Sequence, residues 1–200
     1  MPQVLDPTLA DLLASSAEEE LENCATLIPP EGGSDTVAEL LGAHSLAARV
    51  MTGPNGLFGY NQMWNRPEIL MAEMPSSNGV ADARSLARFY AAVNGDIEGM
   101  EILGAAQLAK AREPQSSGPD AVIFMDTCFG LGYSLQPMVA PGAGPNCYGH
   151  PGAGGSTAFA DPDTGLALAY VTNTMKFDPN GDQRGTSLID AVYASLADDL

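Results

Sequence analysis

The sequence predicts an α+β fold, an antiparallel sheet of about three to five strands with helices packed around it. Three stretches carry that expectation. Tyr148 to Ser156 is glycine-rich and runs into Thr157-Ala158-Phe159-Ala160-Asp161, then Pro162-Asp163-Thr164-Gly165, then Leu166-Ala167-Leu168-Ala169-Tyr170-Val171. This reads as a strand entry, a strand, a tight turn and a second strand. Proline presets φ at the first turn position, Asp163 can bond its own backbone, and glycine takes the left-handed exit. In the second stretch, Leu86, Phe89, Tyr90 and Val93 share one helical face, with Asp82 placed as N-cap and Asn94-Gly95 as the stop. In the third, Leu188, Ile189, Val192, Tyr193 and Leu196 form one stripe behind Thr186, the expected cap. A helix of that pattern lies naturally across a sheet.

The remaining elements follow from local signals. Residues 1–24 are expected to be an acidic N-terminal helix or tail, with Asp6-Pro7 at its start, Leu9, Leu12 and Leu13 on one face, and the run Glu18-Glu19-Glu20. Ile28-Pro29-Pro30-Glu31-Gly32-Gly33 must break the chain. Thr36 to Val50 suits a helix with slack at Gly42 and His44 inside it, and residues 52 to 79 read as a long loop. A shorter helix is expected from Ala105 to Arg112, a connector from Glu113 to Asp120, and one strand from Phe129 to Gln136 beside the glycine-rich one. Glycine weakens a strand, so Gly149, Gly152, Gly154 and Gly155 mark a place where backbone approaches something closely.

Composition narrows the function classes. The formal net charge is -17, with no Lys or Arg before Arg49 and none between Glu113 and Met175. A nucleic-acid binder needs a basic stripe, and an anionic membrane surface attracts basic segments, so neither partner is expected. No basic stretch followed by an apolar one opens the sequence, and no apolar run reaches the length of a membrane span. The expectation is a cytoplasmic protein. Cys24, Cys128 and Cys147 are scattered and odd in number, which reads as reduced thiols.

His150-Pro151-Gly152, followed by Gly154-Gly155-Ser156, Phe159-Ala160-Asp161-Pro162 and Tyr170-Val171-Thr172-Asn173, resembles the C-terminal part of the serine β-lactamase-related family. That family spans class C β-lactamases, penicillin-binding proteins and related esterases. Pro75-Ser76-Ser77-Asn78-Gly79 before Ala83 to Tyr90, and Phe129-Gly130-Leu131-Gly132-Tyr133, fit the same resemblance in the right order. It implies an incomplete β-lactamase/transpeptidase-like fold over residues 25–200, with the 52–79 segment along the rim of a cleft. It also implies acyl transfer through a serine ester, with a small acyl ester or lactam as substrate and no cofactor. The lactamase third motif, Lys-Thr-Gly, reads His-x-Gly in many esterase-like members. By resemblance His150 takes the cationic or polar position, Gly152 lets substrate approach the strand, and the Ala153 N–H is the oxyanion donor.

The other two motifs of that chemistry do not occur in these residues. A serine hydroxyl needs a base within reach, and Ser-x-x-Lys provides both on one helix turn. The lysines are Lys110 and Lys176, and three residues before them stand Gln107 and Asn173. No tyrosine has Asn two positions later, so Tyr-x-Asn is absent. Cys147 and His150 offer two metal ligands where zinc needs more, or a Cys/His dyad without an identified orienting group. Asp178, Asn180 and Asp182 mimic the start of a calcium loop, but Ile189 stands where its glutamate belongs. Three readings follow. The chain is a truncated hydrolase relative without catalysis of its own, an active hydrolase completed by another chain or exon, or a non-catalytic binding domain. Uncovered sheet edge and apolar surface further predict marginal stability alone, self-association or a partner chain.

Overall fold

The computed structural model describes residues 42, 44–53, 58, 62–140, 142–176 and 182–198. The expected tail at 1–24 and the Ile28-Pro29-Pro30 break lie outside them. Six strands form one antiparallel sheet in chain order: β1 (Ser116–Pro119), β2 (Asp126–Phe129), β3 (Ser134–Leu135), β4 (Tyr148–Pro151), β5 (Thr157–Asp161) and β6 (Leu166–Tyr170). The helices are α1 (Leu46–Met51), α2 (Pro67–Leu70), α3 (Ala83–Asn94), α4 (Ala105–Ala111) and α5 (Gln183–Asp198), with a 3-10 turn at Gln62–Asn65. The α+β expectation holds, with six strands among the described residues where about three to five were expected.

The extra strands come from two stretches read differently in the sequence. The Glu113–Asp120 connector contains β1, which pairs with β2 from Ser116 opposite Phe129 to Pro119 opposite Asp126. The single strand expected over Phe129–Gln136 is instead a hairpin. Gly132 takes φ +84° and the chain turns, so only Ser134 and Leu135 pair with Gly149 and Tyr148 of β4. His44 likewise precedes its helix: Gly42 takes φ +80°, and Ser45 caps α1 by accepting the Ala48 N–H. Thr186 lies inside α5 and bonds back to the Asp182 carbonyl, while the Asp182 side chain, just before the helix, accepts the Arg184 N–H.

Register assigns each residue a face. Tyr148 opposes Ala160 and His150 opposes Ala158, while Gly149 opposes Phe159. Across the next pair, Ala158 opposes Ala169 and Phe159 opposes Leu168. Strand residues alternate between faces, so Tyr148, His150, Ala158, Ala160, Ala167 and Ala169 share one. α3 packs there through Tyr90 and Val93, with Leu108 of α4 in the same cluster. The run of alanines leaves room for the helix to lie close. α3 begins and ends as the sequence predicts: Asp82 accepts the Ser85 N–H, and Gly95 closes the helix at φ +86°. On the other face Phe159 is wholly buried among Val139, Ala140, Cys147 and Ile189, under α5. Tyr193 joins that cluster, whereas Leu188 of the predicted stripe is exposed.

Candidate functional site

β4 is held on both sides, by β3 and by β5, and ends at Pro151. The chain then turns through Gly152-Ala153-Gly154-Gly155. The Gly152 N–H donates to the Ser156 carbonyl at 2.5 Å, and the Gly155 N–H donates to the Gly152 carbonyl at 3.0 Å. His150 projects from the α3 side of the strand and is exposed, with Nδ1 at 2.7 Å from the Pro151 carbonyl. Gly152 and Ala153 are exposed as well. Among the described residues nothing accepts from the Ala153 N–H. The three residues singled out in the sequence therefore sit together at one end of β4, with a free backbone donor on an exposed residue.

The sequence expects the glycines to mark close approach, and the structure supplies the neighbours. A Cβ at Gly149 would overlap the Ala158 carbonyl and Phe159 Cβ, so glycine here lets β4 and β5 close over the phenyl ring. Gly155 takes φ +104°, and a Cβ there would run into the Asp182 carboxylate.

The other proposed sites dissolve in three dimensions. Cys147 is buried under α5 with Phe159, on the face opposite to His150, so the two can neither share a metal nor form a dyad. Burial pushes the Cys147 thiol up to about 11, which leaves it inert at neutral pH. Its neighbours are Tyr193 Oη at 3.5 Å and, through that hydroxyl, Asp161 Oδ2 at 2.6 Å. Asp178 and Asn180 of the calcium-like stretch lie outside the described residues, while Asp182 pairs with Arg184 instead. No cluster of three metal-binding side chains occurs among the described residues. None of their helices is long and apolar enough to cross a membrane.

Sequence reasoning missed Arg184, and considered Asp182 only as part of the calcium-like stretch. The signal of the pair is weak: an acidic residue two before an arginine at a helix start.

A family model described as beta-lactamase matches residues 4–193. The chain belongs to the beta-lactamase family. Within that family, the chain is 39% identical over 112 residues to the esterase/beta-lactamase LipL of Mycobacterium tuberculosis, a match covering 54% of this chain and 25% of LipL. A penicillin-binding protein homolog from Caulobacter crescentus superposes with TM-score 0.67 at 29% identity, over 89% of this chain and 46% of that one. EstA from Arthrobacter nitroguajacolicus Rue61a superposes with TM-score 0.59 at 32% identity, over 66% of this chain and 37% of EstA. A family VIII carboxylesterase gives TM-score 0.61 at 29% identity, covering 74% and 39%. The chain thus spans about a quarter of LipL and less than half of these solved beta-lactamase-like structures.

Proposed function

We propose that residues 25–200 supply the C-terminal, oxyanion-binding portion of a serine acyl-transfer site acting on small acyl esters or lactams. In this reading the attacking serine and its base come from outside these residues. The observation that supports it is the free, exposed Ala153 N–H just past Gly152 at the end of β4, with His150 two residues before that glycine. A preorganised backbone donor at the point where negative charge develops is often the largest single contribution to acyl-transfer catalysis. The Ser-x-x-Lys and Tyr-x-Asn patterns do not occur in the sequence, so these residues alone carry no activated serine of that type.

The test is direct. Purified chain is assayed with a short-chain p-nitrophenyl ester and a chromogenic β-lactam, and labelled with a fluorophosphonate. The expected result is no turnover above buffer and no labelled band. The same assay is repeated with a polypeptide carrying Ser-x-x-Lys from a beta-lactamase-family relative, where turnover that depends on Ala153 is expected. An acyl or phosphonyl adduct on a side chain of residues 1–200 in the first assay refutes the reading. A mixture that binds but never turns over favours a non-catalytic binding domain.

A further inference from the structure

The first turn of α5 reaches back to the β4–β5 turn through one guanidinium. Arg184 Nε donates to both Asp182 carboxylate oxygens at 2.9 Å, and Nη2 closes a second contact with Oδ2. Nη2 also donates to the Gly154 carbonyl at 3.2 Å, and Nη1 donates to the Thr174 carbonyl at 3.0 Å. The Gly154 carbonyl takes a further bond from the Lys176 N–H at 3.1 Å. Arg184 therefore ties together the turn, the segment after β6 and the start of α5. The Asp182 side chain, 10% exposed, holds the fork in place. The turn is closed in from another side by Met175, whose Cγ would lie 2.8 Å from a Cβ at Gly154.

The bonds run in series. The Gly154 carbonyl and the Gly155 N–H belong to one planar peptide unit. That N–H donates to the Gly152 carbonyl at 3.0 Å. The Gly152 carbonyl and the Ala153 N–H belong to the next planar unit in the series. A guanidinium pulling on the first carbonyl thus fixes the plane of the unit that ends in the Ala153 N–H. Each bond in such a chain also polarises the next.

We propose that Arg184, oriented by Asp182, is a positioning residue: it aims and polarises the Ala153 N–H through the Gly154–Gly155 and Gly152–Ala153 peptide units. The purpose of this arrangement rests on the oxyanion reading of Ala153, but its test does not need turnover. The full chain is labelled with 15N, and amide shifts and hydrogen exchange are read in wild type, Arg184→Ala, Arg184→Lys and Asp182→Asn. In Arg184→Ala the Gly155 amide is expected to exchange about tenfold faster or more, and the Ala153 proton to move upfield as its donor strength falls. The β5 amides, held in the sheet, keep their protection. Arg184→Lys restores part of the Gly155 protection. Asp182→Asn gives the same change at smaller amplitude, and decides the matter if Arg184→Ala does not fold. An unchanged Gly155 amide overturns the proposal, as does a rise in exchange spread evenly over the sheet. A chain that never contributes to acyl transfer leaves the positioning result intact, so the two readings fail separately.

Discussion

Tyr193→Phe removes one oxygen atom from the only described link between α5 and the buried carboxylate at the end of β5. Asp161 is fully buried and accepts the Tyr193 hydroxyl at 2.6 Å and the Asp163 N–H at 3.0 Å. Burial by itself would raise this carboxyl. The bonds from Tyr193, the Asp163 N–H, Thr164 and Cys147 outweigh it and hold the carboxyl below its ordinary value. A hydrogen bond to a charged acceptor contributes about 1.5–3 kcal/mol, and the buried partner left behind is costly. The phenyl ring still packs against the cluster of Val139, Ala140, Cys147, Phe159 and Ile189, so the loss is confined to the hydroxyl. The expected destabilisation at pH 7 is about 2–3 kcal/mol, or about 4–12 °C in Tm for a domain of this size.

The sign with pH follows from linkage. Because the folded carboxyl lies below its unfolded value of about 3.9, its contribution is complete above that pH. The contribution is lost as pH falls through the folded value. Without the hydroxyl, burial weighs more and the folded value rises. The gap between wild type and variant should therefore be widest near neutrality and should narrow in acid. Urea unfolding followed by far-UV circular dichroism at several pH values measures it. A gap below about 0.5 kcal/mol at pH 7, or one that stays constant into acid, would refute the reasoning.

Other consequences are as concrete. Gly155→Ala places a methyl against the Asp182 carboxylate at φ +104° and should cost roughly 2 kcal/mol or more in thermal unfolding. Phe159→Ala empties the centre of the α5-side core, and about 3–5 kcal/mol should be lost; a loss under about 1 kcal/mol would mean the sheet and α5 are not packed as described. Cys147, buried and raised to about 11, should resist iodoacetamide at pH 8 in the folded chain while the half-buried Cys128 reacts first; mass mapping of the alkylated peptides gives the order. Acidification should weaken the Asp182–Arg184 pair, since the bond from Arg184 holds the Asp182 carboxyl low. Its contribution is present above the ordinary carboxylate range and fades as pH falls through the lowered value, and the protection of the Gly155 amide relative to its intrinsic exchange rate at each pH should drop over that window.

Much was legible in the residues themselves. α3 runs from its Asp82 cap to its Gly95 stop because both signals act within one helical turn. β5, the Pro162–Gly165 turn and β6 were readable for the same reason, with Gly165 at φ +70° as the turn chemistry requires. The missing Ser-x-x-Lys was plain from the sequence, since only two lysines had to be checked. What local pattern left undecided was partnership. Ser116–Pro119 has no strand signature and is a strand only because β2 lies beside it, and Phe129 to Gln136 splits because its glycines let the chain reverse. Cys147 and His150, neighbours in the sequence, were separated by the alternation of one strand onto opposite faces. Arg184 and Gly154, thirty residues apart, were joined, and hydrogen bonds between distant backbone and side chain leave no periodic trace in a sequence. The residues fixed which groups exist; the pairing of strands and the docking of α5 fixed which of them meet.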